Sequence, residues 1–208
     1  MEKECYAKII QVNLKNNYII PFLTTMAVCC LTALLFNIKA LTAVAAVTPV
    51  ELLLCFTGIM MLTPVFLPEQ NPAIKDGIRS KQADYVMVCF IRLIYSIVTV
   101  VLVNFIFIQI MKMQESQVGM YHILVAVSGA LFLGAIGFFV SGVTENTTLG
   151  YMISMGYYLI NYSVKEKFGI FNMFSGAKGT YEDKMWLLLW AVLLIALTFI
   201  YIKIKSKR

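Results

Sequence analysis

The stretch Thr63-Pro64-Val65-Phe66-Leu67-Pro68-Glu69-Gln70-Asn71-Pro72-Ala73-Ile74-Lys75-Asp76-Gly77-Ile78-Arg79-Ser80-Lys81 ends an apolar run abruptly and opens a compact charged segment. Leu67-Pro68 closes the hydrophobic part. Asn71 can cap a new helix, and Pro72 sits at its first position, where a missing N–H is harmless. Ile74, Ile78, Lys81 and Tyr85 then fall at i, i+4, i+7 and i+11, one apolar stripe with a lysine able to snorkel. Lys75, Asp76, Arg79 and Gln82 face elsewhere. The pattern predicts a short helix on a membrane surface that offers charge to a partner.

Working outward, the chain is too apolar for an ordinary water-soluble domain. Of its 208 residues 60% are hydrophobic and 13% charged, with a mean hydropathy of +0.81, against an apolar share of about 45–50% in soluble domains. A membrane span needs about 20 mostly apolar residues. Six stretches are read as spans: Tyr18 to Phe36, Leu41 to Leu67, Tyr85 to Met111, Tyr121 to Val143, the shorter Leu149 to Tyr162, and Met185 to Ile202. The expected fold is all-α: an interfacial helix over residues 1–17, a six-helix transmembrane domain over 18–208, and a cytoplasmic coupling helix at about 69–84. In the interfacial helix Glu4, Lys8, Gln11 and Lys15 form a polar stripe opposite Cys5, Tyr6, Ile9 and Ile10. A signal-peptidase-like Ala43-Val44-Ala45 follows an apolar run longer than a usual signal core, so the chain is expected to stay uncleaved.

Basic residues orient the spans. Lys3, Lys8 and Lys15 precede the first, Lys75, Arg79 and Lys81 lie between the second and third, and Lys203, Lys205, Lys207 and Arg208 follow the sixth. With six spans all three clusters share one side, which the positive-inside rule makes the cytoplasm of a cell membrane. Lys39, Lys112, Lys165, Lys167, Lys178 and Lys184 count against this, partly offset by Glu166, Glu182 and Asp183. The net charge of +6 then reads as a topological and lipid-facing signal, with no need for nucleic acid.

Span two carries Pro49, Gly58 and Pro64, breaks that a helix tolerates only where neighbours or water satisfy the freed backbone. It also carries Glu51, the one acid well inside an apolar stretch. Two readings stand. A carboxylate at mid-bilayer costs about 3 kcal/mol and faces a bundle interior, a cavity or a partner; or Glu51 sits at the outer headgroups, where an acid suits a helix start at Pro49. In span three Arg92 is expected to snorkel to lipid phosphates, and Asn104 and Gln109 to bond neighbouring helices, with Asn104 also a candidate for the path. Ala126, Ala130 and Gly134, then Gly137 and Ser141, make a close-packing face on span four, and Gly150, Ser154 and Gly156 another on span five. Tyr157, Tyr158 and Tyr162 read as an interfacial aromatic belt. Residues 163–184 are too apolar for a free loop and are expected to dip back to, or lie along, the outer leaflet.

Catalytic signatures are missing. Gly176-Ala177-Lys178-Gly179-Thr180 has phosphate-loop residue types without the spacing. His122 is the single histidine, with an expected role in interfacial polarity, and no cysteine pair has zinc spacing. The five cysteines are expected to be reduced. The chain therefore reads as no enzyme, with no metal or cofactor of its own.

The six-span layout, the run Pro64-Val65-Phe66-Leu67-Pro68-Glu69-Gln70, the charged helix through Ser80-Lys81 and Arg92 early in span three resemble the permease subunits of type-2 ABC exporters. Asn146-Thr147 before Gly150-Tyr151, then Gly156-Tyr157-Tyr158, are similar to that family's short fifth helix. The resemblance implies a permease that dimerises with itself or a related permease and exports a hydrophobic or amphipathic substrate (peptide, drug or lipid). Its path would be lined by spans one, two and five, with Glu51 and Asn104 as candidates. Separate ATPase chains holding ATP and Mg would dock through Glu69, Gln70, Lys75, Asp76, Arg79, Lys81 and Asp84, and an extracellular re-entrant segment would map onto residues 163–184. The competing class is an ion- or proton-coupled secondary transporter, which usually shows inverted repeats and several ionisable groups at mid-bilayer.

Overall fold

Long apolar segments become helices because a backbone withdrawn from water can satisfy its N–H and C=O groups only internally. The computed structural model describes residues 14–70, 85–164, 169–179 and 181–206, and among them there is helix and connecting turn but no strand. Among the described residues six helices follow one another: α1 (Ile19–Leu35), the composite α2 (Ala43–Pro68), α3 (Tyr85–Met113), α4 (Met120–Thr144), α5 (Thr147–Val164) and α6 (Tyr181–Ser206). Four of them, α2, α3, α4 and α6, are long and apolar enough to cross a membrane. Helix α1 is apolar but has 17 residues, and α5 has 18 with tyrosines and polar residues along it. The chain is a membrane protein. The expected interfacial helix before residue 14 and the charged helix within 71–84 lie outside the described residues.

Local chemistry accounts for the helix ends. Thr42 is extended and its hydroxyl accepts from Ala45 N–H at the start of α2, an N-cap. Glu145 ends α4 in the left-handed region (φ 53°). Asn146 Oδ1 then accepts from Thr148 N–H at 2.9 Å, which allows α5 to begin almost at once.

Helix α2 is broken where its prolines predict. Pro49 ends a first α-helical piece, Val50–Leu54 form a π-helical turn, Phe56–Leu62 return to α, and a 3-10 stretch runs from Thr63 to Gln70. In 3-10 geometry the carbonyl of Val65 would pair with the N–H of residue 68, but Pro68 has none. Arg92 of α3 supplies the donor instead, with Nη1 3.2 Å from Val65 O.

Helix α4 is the hub, packed against α2, α5 and α6. Its small residues find their partner within the chain: a Cβ on Gly58 of α2 would collide with the backbone carbonyl of Ala130, and one on Gly134 with the backbone of Gly58. Lower down, Gly137 meets Thr63 and Ser154, while Gly150 meets Ser141 and the Gly137 carbonyl. The glycine of α5 expected to join this face does not: a Cβ on Gly156 would meet nothing within 4 Å.

The bundle has two distinguishable ends. At one, Ala40 N–H donates to Gln114 O at 2.9 Å, Gln117 N–H to Leu41 O at 2.8 Å, and Ser116 Oγ to Ile38 O at 2.6 Å. His122 belongs here as a staple, accepting from Gly119 N–H at 3.2 Å and placing Nε2 2.8 Å from Ala43 O; at 6% exposure it is buried where interfacial polarity was expected. Residues 169–179 fold onto this capped end. Gln70, Glu145 and Lys205 meet at the other.

Candidate functional site: a buried ion pair under the cap segment

The π-helical turn of α2 delivers Glu51 into the bundle, 8% exposed. Its carboxylate oxygen Oε1 accepts from Lys184 Nζ at 2.7 Å and from Gly176 N–H at 2.6 Å. Lys184, in the first turns of α6 and fully buried, also donates to Met173 O at 2.6 Å. One carboxylate and one ammonium thus neutralise each other inside the fold. The backbone of the 169–179 cap segment supplies a donor, Gly176 N–H, and an acceptor, Met173 O. Glycine is required at 176, because a Cβ there would press on Glu51 Oε1 and Val47 Cγ1.

The cap segment is held from other sides as well. Asn161 of α5 donates through Nδ2 to Phe171 O at 2.9 Å and accepts through Oδ1 from Met173 N–H at 3.0 Å. Tyr157 donates to Phe171 O at 2.7 Å, and Tyr121 of α4 to Gly176 O at 2.9 Å. Tyr158 reaches across to Leu52 O at 2.9 Å, within the π-helical turn of α2. The expected aromatic belt therefore needs correction: Tyr157 and Tyr158 turn their hydroxyls inward to backbone carbonyls, and Tyr162, 45% exposed, is the one of the three at the surface. Cap residues Phe174 and Phe171 pack their rings on Tyr158 and Trp190.

The arrangement is electrostatic and mechanical. Among the described residues there is no group of three metal-ligating side chains, and the free cysteines Cys29, Cys30, Cys55 and Cys89 lie in α1, α2 and α3. The pair holds the cap segment against α2 and α6.

The other candidates lie apart from it. Asn104 of α3, fully buried, donates through Nδ2 to Thr57 Oγ1 at 2.9 Å and to Val100 O at 2.8 Å, tying α3 to α2. Gln70 donates to Glu145 O at 3.4 Å and accepts from Thr147 Oγ1 at 3.3 Å, beside the Lys205–Glu145 ion pair at 3.0 Å. Glu69 lies in the same 3-10 stretch. Lys75, Asp76, Arg79, Lys81 and Asp84 lie outside the described residues.

Sequence reading passed over Lys184, Gly176 and Asn161. Lys184 was counted only as a topological charge, although it directly precedes the apolar run from Met185, where a cation calls for a carboxylate at similar depth. The packing faces of α4 and α5 bring Ser141 and Ser154 together with Thr63 of α2, all three fully buried with hydroxyls that have no hydrogen-bond partner. No protein-family model, no curated protein and no solved structure matches this chain.

Proposed function

We propose that this chain is the membrane-spanning permease subunit of an ATP-driven exporter of the type-2 ABC kind, non-catalytic itself and paired with a second permease and separate ATPase chains. In this reading all six helices span the cell membrane and both termini are cytoplasmic. The capped end faces outward and the Gln70 end faces the ATPases.

One observation carries the reading: residues 169–179, between α5 and α6, fold over one end of the bundle and bind the Glu51–Lys184 pair of α2 and α6 through Gly176 N–H and Met173 O. The same helix leads at its other end, through Gln70, into the charged stretch 71–84. A helix with a latch at one end and a docking segment at the other is suited to pass motion between an ATPase and an outer gate. The substrate class expected from the methionine-rich and aromatic spans is a hydrophobic or amphipathic molecule. Co-purification followed by ATPase assay tests the reading, with hydrolysis expected on the partner chain.

A carrier driven by protons or ions is the second reading, favoured by the ionisable pair lodged beside a π-helical turn inside the bundle. Uptake by proteoliposomes holding this chain alone, under a proton gradient and without ATP, separates the two.

A further inference from the structure

Serine and threonine inside helices commonly bond back to a carbonyl one turn earlier. The fully buried Thr25, Thr32, Ser128 and Thr198 do so here. Thr63, Ser141 and Ser154 are buried as deeply, yet their hydroxyls have no hydrogen-bond partner among the described residues. They point across the junction of α2, α4 and α5 instead. Thr63 Oγ1 and, at 2.9 Å, Ser154 Oγ crowd the place where a Cβ on Gly137 would stand, and Ser141 Oγ crowds that of a Cβ on Gly150. A closed state that leaves three hydroxyls unpaired is penalised against any state in which water reaches them.

Helix α5 has the means to reach such a state. Its buried stripe is Thr147, Gly150, Ser154, Tyr158 and Asn161, with no aliphatic side chain. Its two halves are held unequally. After Gly156, Tyr157 donates to Phe171 O at 2.7 Å, Tyr158 to Leu52 O at 2.9 Å, and Asn161 Oδ1 accepts from Met173 N–H at 3.0 Å. Before Gly156, Thr147 Oγ1 reaches Gln70 Oε1 at 3.3 Å. Gly156 lies between the halves in open space, where packing does not require glycine and its effect is to loosen the helix. Arg92 ties the 3-10 stretch that begins at Thr63 to α3, which leaves α5 as the part that moves. We propose that residues 147–155 are a flap that swings about Gly156 away from Thr63 and Ser141, and that the hydroxyl-lined crevice it opens fills with water. A separation of one water diameter is enough, and the mouth is the Gln70 end. Three neutral groups, each able to donate and to accept, suit water better than an ion. The inference does not rest on the export reading, since it needs neither an ATPase nor a substrate.

The test uses the purified full chain, freed of its native cysteines, in phosphatidylcholine nanodiscs. A small, positively charged methanethiosulfonate, which reacts with a thiol only where water reaches it, is added, and modification is timed by intact-mass spectrometry. Ser141→Cys, beneath the flap, should be modified, whereas Ser128→Cys, equally buried on the same helix but bonded to Val125 O, should not. Adding Ser154→Ala or Thr63→Val to Ser141→Cys should slow modification about tenfold, because each removes an unpaired hydroxyl from the closed state. Adding Gly156→Ala should slow it severalfold by stiffening α5. Should Ser141→Cys fail to fold, hydrogen exchange of the chain with Ser141 intact reads the same motion: Ser154→Ala should slow the amides of residues 147–155 about tenfold. No modification at position 141, equal rates at 141 and 128, or modification or exchange that Ser154→Ala leaves unchanged or quickens, as simple loss of packing would, overturns the proposal.

Discussion

Glu51 and Lys184, 133 positions apart in the chain, meet at 2.7 Å with both side chains buried. Each alone is a charge the apolar bundle would exclude; together, and bonded to Gly176 N–H and Met173 O, they fasten the cap segment to α2 and α6. Removing one partner leaves the other charge uncompensated, which in buried pairs costs about 3–5 kcal/mol, whereas replacing both with apolar residues is far milder. Glu51→Gln and Lys184→Met should each lower the unfolding temperature in detergent, and Glu51→Leu with Lys184→Met should recover most of the loss. Additive losses in the double variant would show that the two side chains act independently.

The crossing of α2 and α4 gives a paired prediction. Gly58→Ala drives a methyl into the Ala130 carbonyl and should cost at least the 1–3 kcal/mol typical of overpacking. Gly156→Ala, on a helix position with open space, should be neutral or stabilising by about 0.4–1 kcal/mol, because alanine restricts the unfolded chain. Thermal unfolding of the two variants side by side checks the packing directly.

Ser154 is fully buried and its hydroxyl has no partner. An unpaired buried hydroxyl is a penalty that the folded state carries. Ser154→Ala should therefore leave the unfolding temperature unchanged or raise it. A marked fall would mean that a bound water or another group satisfies the hydroxyl in the membrane.

The apolar stretches and the prolines made the helices legible. Length and hydropathy placed both ends of α1 and the C-terminal end of α3 within two residues of those observed, and Pro49 and Pro64 foretold the broken α2 because a missing N–H is a local property. The candidate site was half legible. Glu51 stood out as the lone acid in a span, but its partner lies 133 residues away, and no periodicity encodes such a contact. The tyrosines of α5 were misread for a related reason: which face of a helix turns inward depends on neighbours, and here the carbonyls of Leu52 and Phe171 draw Tyr158 and Tyr157 in.

The proposed six-span arrangement makes its own prediction. In a background lacking the native cysteines, single cysteines replacing Lys75 and Lys207 should react with membrane-impermeant maleimide only after the cytoplasmic face is opened, and one replacing Lys178 should react from outside. Cytoplasmic labelling at 178 contradicts that topology.

Coupling to a separate ATPase is the central claim, and the charged stretch after Gln70 is its most direct handle. The measurement is ATP hydrolysis and substrate export by the affinity-purified complex, for the wild type and for Lys75→Glu with Arg79→Glu; single rim charges contribute little, so both are reversed. The account predicts that an ATPase chain co-purifies with the wild type, and that the double reversal either releases it or leaves hydrolysis uncoupled from export while membrane insertion persists. A chain that purifies without any ATPase and moves its substrate under a proton gradient alone, or a double variant that exports at the wild-type rate, would contradict it.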